Sequence, residues 1–291
     1  MKQKGILVGY GYWGQKIEKY ALDAGFDQIV IFQDKDLKKF EKNITDQDID
    51  TVFICSPLST HSDYLRISLE NKKNIFCEKM LVSDYKLATT YYKRSETNGT
   101  VLFTDYTYLY SKAISEMVDL IKKLGGARYI YADISQYGKF YDDADAFQTI
   151  GVHMASVIGL ICEFDMNINI HHKARIKVNR NFPDIDIIEG KIGNVLFLLK
   201  DSLASSKKRT VEVICERGIV VFDALKEKTI QYWNFENPEG VKYKCFDEGN
   251  NLSYCMKEFK KNTESEYNDM NLRCSLFAEK VYEILNKNED D

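Results

Sequence analysis

The sequence predicts a two-domain α/β protein, with an N-terminal doubly wound parallel sheet followed by an α+β domain whose sheet is largely antiparallel. Three observations predict this fold class. A glycine-rich turn directly follows a short apolar run within residues 6–14, and apolar runs of strand length then alternate with helical patterns up to about residue 104. From residue 167 to residue 246, strand-like runs are separated only by turn signals. At 291 residues the chain is longer than one typical domain, and we expect domains at residues 1–120 and 121–291.

The composition is that of a globular protein. Hydrophobic residues make up 44% and charged residues 29% of the chain, which argues against a disordered protein and against a membrane protein. The net charge is -4 and the basic residues are scattered, so the chain lacks the basic stripe that nucleic acid requires. The first strand begins directly after residues 1–4, and no apolar run approaches the ~20 residues of a membrane span. We therefore expect a cytoplasmic protein without a signal peptide, whose partner is a small molecule.

The cysteines and histidines show no pattern typical of metal ligands. The seven cysteines are odd in number and contain no C-x-x-C pair, so we expect reduced structural thiols. The four histidines are not spaced as ligands, either with cysteines or with another histidine on one helix face. The sequence therefore predicts no metal site.

The glycine-rich turn has the form of a nucleotide-binding motif. An apolar run at residues 6–8 leads into Gly9-x-Gly11-x-x-Gly14, and a helical pattern follows as far as a stop at Gly25. Gly9 allows a tight turn, Gly11 lets a pyrophosphate approach the backbone, and Gly14 lets the helix pack closely on its strand. The free N–H groups of the first helical turn would face the phosphates. The strand before the motif and the helix after it predict a Rossmann domain that binds a dinucleotide.

Two aromatic residues lie inside this turn. Tyr12 and Trp13 are candidates to line the nicotinamide site or the adenosine site. Trp13 fits equally well as the first core residue of the helix, because Trp13, Ile17, Tyr20 and Ala24 recur at helical spacing. The sequence leaves both roles of Trp13 open.

The second predicted strand, residues 28–34, ends in an acidic residue. Asp34 lies 20 residues after Gly14, about where the ribose-binding acid of a Rossmann domain is expected. A carboxylate at this point accepts hydrogen bonds from both hydroxyls of the adenosine ribose and repels the extra phosphate of NADP. The predicted cofactor is therefore NAD rather than NADP. Asp36 is a second candidate for this role, and residues 34–36 also fit a plain solvated turn.

The third predicted strand, residues 49–55, is apolar along most of its length, as buried strands of parallel sheets are. It ends in a loop that contains Ser56, Pro57 and His61. Ligands of open α/β sheets bind outside the carboxyl ends of the strands, so we expect this loop to face the cofactor.

The order of these pieces resembles the Gfo/Idh/MocA family of NAD(P)-dependent sugar and inositol oxidoreductases. That family has a strand, Pro-x-x-x-His, a helix, a second strand and Glu-Lys-Pro. In this chain a short strand at residues 74–77 runs straight into Glu78-Lys79, and Met80 replaces the usual proline. The segment that leads into the second domain is most similar to the branch that works on nucleotide-linked sugars. The resemblance implies hydride transfer between nicotinamide and a hydroxyl or keto carbon of a sugar or nucleotide sugar.

Lys79 is the first catalytic candidate. It follows a buried strand at its carboxyl end, which lies next to the nicotinamide in the pose that the resemblance implies. An ammonium group there can hydrogen-bond the reacting oxygen and stabilise alkoxide character. The resemblance also implies that Glu78 binds the nicotinamide ribose. We expect His61 to cap or brace the loop beneath the cofactor. The competing interpretation of Lys79 is an ordinary surface lysine at the end of a strand.

His153 is the second catalytic candidate. It lies in a segment similar to the family's Asp-x-Gly-x-His motif, in which Gly151 and His153 match. Thr149 stands in place of the first Asp, and Ser156 stands where a second Asp often follows. Hydride transfer at a carbinol carbon needs a proton donor or acceptor on oxygen, and imidazole suits that task near neutral pH. The competing interpretation is a packed histidine on the apolar face of a helix.

Aromatic and hydroxyl side chains are candidate substrate contacts. Tyr108, Tyr110 and Tyr137 could line a sugar pocket, and Thr149 could hydrogen-bond the substrate. The polar loop after Tyr137 adds Tyr141 to this group. Because the chain has 19 tyrosines, packing is the competing explanation for each of them.

The second domain is predicted to be an antiparallel sheet backed by helices. Short turns join strand-like runs at residues 168–170, 174–178, 185–190, 194–200, 211–215 and 219–222. The tail returns to helical patterns at residues 254–262 and 272–285. In the family such a sheet is often a dimerisation surface, so the resemblance implies a homodimer or homotetramer.

A second class of function remains open at this point. Thr149 and Met80 depart from the family pattern, which would suit a non-catalytic dinucleotide sensor or regulatory protein of the same fold. Retention of Lys79 and His153 speaks against this alternative, because a sensor needs neither side chain.

Overall fold

The computed structural model describes residues 3–45, 49–178, 180–227, 229–246, 250–264 and 269–287. The chain divides into two compact units. The first unit comprises Met1–Thr107 and Asn250–Glu279, and the second comprises Tyr108–Gly249 and Lys280–Asp291. This division differs from the expected one, which began the second domain at residue 121 and assigned the whole tail to it.

The first unit is a parallel sheet with helices, as predicted. Its strands are β1 (Lys4–Val8), β2 (Gln28–Phe32), β3 (Ile49–Ile54), β4 (Asn74–Cys77) and β5 (Leu102–Thr104). The helices between them are α1 (Tyr12–Asp23), α2 (Leu37–Ile44), α3 (His61–Glu70) and α4 (Tyr85–Asn98). The strand order is β2-β1-β3-β4-β5, and every neighbouring pair is parallel. The carboxyl ends of the strands therefore lie along one edge of the sheet, where ligands of such folds bind.

Both faces of this sheet are apolar along β1, β3, β4 and β5, which are largely buried, whereas the edge strand β2 is partly exposed. One face packs against residues of α2, α3 and α4 in a single core cluster. The other face is covered by a helix from the tail, α7 (Asn251–Glu264), whose Phe259 is fully buried. The Phe259 ring centroid lies 5.3 Å from that of Phe76, 5.5 Å from that of Phe103 and 6.0 Å from that of Phe53. This packing explains why residues from Asn250 to Glu279 group with the first unit.

The second unit is built on an eight-stranded sheet. Its strands are β6 (Ala127–Tyr137), β7 (Ile168–Ile176), β8 (Ile185–Ile192), β9 (Val195–Ser202), β10 (Ala204–Cys215), β11 (Gly218–Asp223), β12 (Ile230–Asn234) and β13 (Asn237–Lys244). The order is β13-β12-β11-β10-β6-β9-β8-β7, in which β6 and β9 are parallel and all other neighbours are antiparallel. The predicted α+β class with a largely antiparallel sheet is therefore confirmed.

Helices accompany this sheet. They are α5 (Lys112–Lys123) and α6 (Val152–Ile161), and the long tail helix α8 (Met270–Asn286) contributes its last residues to the unit. The runs at residues 168–170 and 174–178, predicted as two strands, form the single strand β7, whose pairing with β8 shifts register between Ile170 and His172. A bulge of this kind interrupts the side-chain alternation, so one strand looks like two in the sequence. No helix in the described part of the chain is long and apolar enough to cross a membrane.

Candidate active site

The glycine turn after β1 has the geometry that a bound pyrophosphate requires. Gly9 has φ +87°, and a Cβ atom there would lie 2.5 Å from the Cys55 carbonyl oxygen and the Ser56 nitrogen. A Cβ atom on Gly14 would lie 2.2 Å from the Gly9 carbonyl oxygen. By contrast, a Cβ on Gly11, the residue before α1, would meet nothing within 4 Å. Two of the glycines are therefore needed for packing, and the third leaves the backbone open at the helix N-terminus, where a phosphate can approach.

The two aromatic side chains of this turn are exposed to solvent. Tyr12 is 60% and Trp13 41% exposed, and their ring centroids lie 5.2 Å apart in an edge-to-face arrangement. The Lys16 ammonium lies 4.5 Å from the centre of the Tyr12 ring and 4.9 Å from that of Trp13. The interpretation of Trp13 as a core residue is wrong, because the buried stripe of α1 consists of Gly14, Ile17 and Ala21. Both rings are accessible to a ligand of the glycine turn.

Asp34 follows β2 at the same edge of the sheet and is the acid that remains open to a ribose. Its Oδ1 accepts a hydrogen bond from the Asp36 N–H at 2.9 Å, and its Oδ2 lies 2.7 Å from the Lys39 ammonium. These contacts, first the Lys39 hydrogen bond and then the Asp36 N–H, lower the pKa of Asp34. Asp36 is the N-cap of α2 and accepts from the Lys38 N–H at 2.9 Å, so its carboxylate already has a structural role.

His61 joins the loop after β3 to the segment after β4. It is 1% exposed, its Nε2 lies 3.0 Å from the Ser56 carbonyl oxygen, and its Nδ1 lies 3.0 Å from the Met80 carbonyl oxygen. Burial lowers the pKa of His61, although the backbone carbonyls oppose that shift. In this loop the Thr60 hydroxyl also donates to the Ser56 hydroxyl at 2.8 Å, and Pro57 is exposed. The glycine turn, the Ser56 loop and the segment that carries Lys79 are thus connected by direct contacts.

A buried pair of carboxyl groups accompanies Lys79 at the ends of β4 and β5. Glu78 donates its N–H to the Ile54 carbonyl at 2.9 Å, and Asp105 donates its N–H to the Cys77 carbonyl at 2.8 Å. Burial raises the pKa of both carboxyl groups, the charge on Glu78 raises that of Asp105 further, and the Lys79 ammonium lowers both. Lys79 is half-buried at the strand end. Lys79 therefore lies next to two acids whose carboxyl groups are buried.

Two partners of this cluster were missed in the sequence. Asp105 directly follows the apolar strand β5, and its position at a strand's carboxyl end was a usable signal. Cys255, on α7, donates its thiol to Asp105 Oδ1 at 3.1 Å, and no local pattern links residues so far apart. The peptide bond between Lys79 and Met80 is cis, and the Met80 side chain is fully buried.

In the second unit, His153 lies at the start of α6 against a tyrosine. The ring centroids of His153 and Tyr108 are 5.5 Å apart, and the His153 side chain is half-buried rather than enclosed in the core. The Arg209 guanidinium hydrogen-bonds the Tyr108 side chain and also donates to the Ser135 carbonyl at 2.6 Å. Burial lowers the pKa of Arg209, and the contact with Tyr108 raises it. Arg209, which the sequence analysis did not identify, places a positive charge beside the Tyr108 and His153 pair.

The remaining predicted site residues of this unit differ in their surroundings. Thr149 is buried, and its hydroxyl donates to the Asp145 carbonyl at 2.6 Å. Ser156 is also buried and donates to the His153 carbonyl at 2.7 Å. Tyr110 is half-buried, whereas Tyr137 is 84% exposed. Both residues at the positions of the missing acids therefore hydrogen-bond backbone carbonyls.

No group of three or more histidine, cysteine, aspartate or glutamate residues is arranged to hold a metal ion in the described ranges. The candidate groups of the first unit instead fit a dinucleotide. The open backbone at Gly11 suits a pyrophosphate, Asp34 suits a ribose, and the buried Glu78 Oε1 has no hydrogen-bond partner among the described residues. Together with the parallel sheet, these features define an NAD(P)-binding Rossmann unit.

Comparison with known proteins agrees with this class. Residues 6–106 match the model of the GFO_IDH_MocA family, described as an oxidoreductase family with an NAD-binding Rossmann fold. The match confirms the resemblance to the Gfo/Idh/MocA family that the sequence predicted.

Two curated relatives match over short stretches. The scyllo-inositol 2-dehydrogenase (NADP(+)) IolU of Bacillus subtilis is 27% identical over 93 residues, which cover 32% of this chain and 28% of the relative. The uncharacterized oxidoreductase YrbE of the same organism is 53% identical over 34 residues, or 12% of this chain and 10% of the relative. The matches therefore span less than a third of either relative.

Solved structures share the fold over almost the whole chain. KijD10, a 3-ketoreductase from Actinomadura kijaniata solved with NADP and TDP-benzene, has a TM-score of 0.83 at 14% identity, covering 98% of this chain and 97% of that one. The UDP-N-acetylglucosamine 3-dehydrogenase GnnA from Acidithiobacillus ferrooxidans has a TM-score of 0.80 at 13% identity, with the same coverage. At this identity the likeness establishes the fold.

Proposed function

We propose that the protein is an NAD(P)-dependent oxidoreductase that transfers hydride between nicotinamide and a hydroxyl or keto carbon of a sugar or nucleotide sugar. The observation that carries the proposal is the position of Lys79 at the carboxyl edge of the parallel sheet, beside two buried carboxyl groups and on the same edge as the open glycine turn. The substrate class is supported by the relatives, which include an inositol dehydrogenase and two proteins that act on or bind nucleotide-linked groups.

Different residues of the chain would hold the different parts of the dinucleotide. Gly9, Gly11 and Gly14, with the first N–H groups of α1, would bind the pyrophosphate. Asp34 would accept hydrogen bonds from the adenosine ribose, and Glu78 would bind the nicotinamide ribose. When bound, the dinucleotide supplies the hydride acceptor or donor. We propose NAD as the preferred form, because the Asp34 carboxylate would oppose a phosphate on the ribose.

Lys79 would act on the substrate oxygen. An ammonium group near a developing alkoxide stabilises its negative charge, and this effect is largest where water is excluded. The carboxyl groups of Glu78 and Asp105 favour the charged form of Lys79, since each interacts with it electrostatically. In its charged form, Lys79 would face the oxygen while the oxygen gains or loses charge.

His153 would give or take the proton on that oxygen. Such general acid–base catalysis typically contributes about 10²–10⁴-fold in rate. The Tyr108 ring would fix the orientation of the imidazole, and Arg209 would fix Tyr108 through its hydrogen bond. Thr149 and Tyr110 remain proposed substrate contacts.

The alternative is a dinucleotide-dependent sensor that lacks the chemistry. It is favoured by Thr149, whose hydroxyl donates to a backbone carbonyl and which supplies no negative charge where the family has an acid. The two proposals differ in whether bound NADH is consumed.

The test is a titration of the purified protein with NADH and with NADPH, followed by a panel of nucleotide-linked and free keto sugars. The proposed enzyme binds a reduced dinucleotide, and its absorbance falls when one of the sugars is added. Binding without oxidation across the panel would favour the sensor, and failure to bind either dinucleotide would contradict both proposals.

A further inference from the structure

The second unit also contains a network of largely buried charged side chains, none of which was assigned to the candidate active site above. The Arg175 Nη2 donates to Asp145 Oδ2 at 2.6 Å, and the Arg175 Nε donates to Asp186 Oδ1 at 2.8 Å. The Tyr282 hydroxyl also donates to Asp145 Oδ2, at 2.9 Å. Beyond Asp186 lies Asp201, and both of these residues have an exposed fraction of 0%. One guanidinium group thus pairs with two of three buried carboxyl groups.

Asp186 and Asp201 face each other across two strands. They are direct partners in the antiparallel pairing of β8 with β9, and their carboxyl groups lie within hydrogen-bonding range. Yet Asp186 Oδ2 and both oxygens of Asp201 receive no hydrogen bond from any donor in the described residues. Two ionised carboxylates cannot hydrogen-bond each other, because neither has a proton to donate. A single proton between them would satisfy both groups.

The partners of the two acids indicate where that proton resides. Asp186 already accepts the Arg175 N–H, which stabilises its ionised form, whereas the Asp201 oxygens accept no hydrogen bond from a cation in the described ranges. Burial raises the pKa of Asp201 well above its usual range, and the charges of Asp186 and Asp145 raise it further against the opposing effect of Arg175. Buried carboxyl pairs of this kind share one proton.

Asp201 also lies directly against the turn that leads into α6. A Cβ atom on Gly151 would lie 2.3 Å from Asp201 Oδ2 and 2.7 Å from its Cγ. Gly151 is the last residue of a π-helical turn, Phe147–Gly151, that contains Thr149 and is followed by His153. Asp145 fixes the start of the same turn, since its Oδ1 accepts the Gln148 N–H at 2.8 Å and Gln148 Oε1 accepts the Asp145 N–H at 3.0 Å. Asp145 and Asp201 therefore contact the turn at its start and at its end, respectively.

We propose that Asp201 holds a proton at neutral pH and donates a hydrogen bond through it to the Asp186 carboxylate. Asp201 is thereby a positioning residue that sets the turn carrying Thr149, Gly151 and His153. The role assigned to His153 rests on the proposed function, whereas the proton on Asp201 and its contact with Gly151 do not. Gly151 is required because the protonated carboxyl occupies the space of a side chain.

The proton is tested by infrared spectroscopy of the intact protein at neutral pH. The Asp201→Asn variant keeps the shape and donor capacity of a protonated acid, so we expect it to fold. The difference spectrum of wild type minus Asp201→Asn should contain the C=O stretching band of a protonated carboxyl group. Asp119→Asn, at an exposed position of α5, is the control and should lack this band. A difference spectrum that shows only carboxylate bands for Asp201→Asn would overturn the proposal.

The stability of these two proteins as a function of pH provides a second readout. Because the pKa of Asp201 is raised, the folded state binds a proton that the unfolded state releases above about pH 4. The advantage of wild type relative to Asp201→Asn should therefore decline as pH rises through the folded-state pKa of Asp201. The groups that face Asp201 are Asp186, Asp145 and Arg175, and the contacts of Arg175 with the other two are unchanged in the variant. Stability curves of wild type and Asp201→Asn that run parallel over this pH range would contradict the proposal.

The contact with the turn is tested without any substrate. Gly151→Ala should lower the thermal unfolding temperature, and Asp201→Ala should restore part of that loss in the double variant, since it removes the clashing oxygen. The imidazole resonances of His153, assigned with a His153→Gln variant, should shift in Asp201→Leu and remain in place in Asp201→Asn. Additive losses in the double variant, or equal shifts in both Asp201 variants, would overturn the positioning role even if the protein proves to have no enzymatic activity.

Discussion

At the scale of single residues, the pair of Asp34 and Lys39 bears on the expected preference for NAD over NADP. A carboxylate after β2 favours NAD because it repels the additional phosphate of NADP. In this structure the same carboxylate lies 2.7 Å from the Lys39 ammonium, which neutralises part of that repulsion and could itself attract a phosphate. The cofactor preference expected from Asp34 therefore depends on how strongly Lys39 offsets its charge.

Replacement of Asp34 tests this balance. Asp34→Asn should shift the ratio of NADH to NADPH affinity toward NADPH by roughly tenfold, or about 1.4 kcal/mol, because the repulsive charge is lost and Lys39 is released. Fluorescence titration with the two reduced dinucleotides measures the ratio. Asp23→Asn, an exposed acid at the end of α1, is the matched control. An unchanged ratio in Asp34→Asn would mean that Asp34 is not at the ribose.

His61 predicts a dependence of stability on pH. Its pKa is lowered by burial, so the folded state keeps the imidazole neutral while the unfolded state takes up a proton below about pH 6.5. The stability that depends on neutral His61 is present above that unfolded pKa and is lost as pH falls toward the folded pKa.

The measurement is the free energy of unfolding of wild type and His61→Gln between about pH 8 and pH 5. The wild type should lose more stability on acidification than His61→Gln does. His172→Gln, at an exposed position of β7, should behave like wild type. If the free energy of unfolding of wild type and of His61→Gln changes equally with pH, the folded state does not hold His61 as a buried neutral imidazole.

At the scale of elements, the glycine turn and α1 form a unit whose glycines have different functions. Gly14 is needed for folding, since its hydrogen faces the Gly9 carbonyl oxygen, whereas Gly11 has open space beside it. Gly14→Ala should therefore lower the unfolding temperature by several degrees. Gly11→Ala should change stability by about 1 kcal/mol or less and reduce dinucleotide affinity, because its methyl group enters the space of the pyrophosphate.

Thermal unfolding and dinucleotide titration of the two variants separate these effects. The result that would contradict this division of roles is a Gly11→Ala protein with unchanged affinity, or a Gly14→Ala protein as stable as wild type. Each variant thus serves as the control for the other.

The tail helix α7 shows why the element-level prediction of domains differed from the structure. Its helical pattern was visible in the sequence, but the pattern does not specify which sheet receives its apolar side. Phe259 packs on Phe53, Phe76 and Phe103, so α7 completes the parallel sheet about 150 residues after the last strand of that sheet. The position of α7 along the chain therefore did not indicate that it packs in the first unit.

At the scale of the whole molecule, the sequence was sufficient for features that depend on local signals. The glycine spacing, the apolar strands and the residues directly after β2, β3 and β4 were all predicted, because a parallel sheet brings successive strand ends to one edge. The contacts of Asp105 with Cys255, of Arg209 with Tyr108 and of Asp201 with Gly151 were not. Each joins distant segments through buried polar groups, and no periodicity in the sequence marks such a pairing.

The role of Lys79 is tested by the activity of Lys79→Met with a sugar that wild type oxidises or reduces. We expect turnover to fall by at least about 10²-fold while the affinity for the reduced dinucleotide stays within about threefold of wild type. Lys86→Met, at an exposed position of α4, is the matched control and should retain full turnover. Equal loss of dinucleotide binding and turnover in Lys79→Met would contradict the proposed role, because Lys79 would then be a cofactor ligand and not the group that acts on the substrate oxygen.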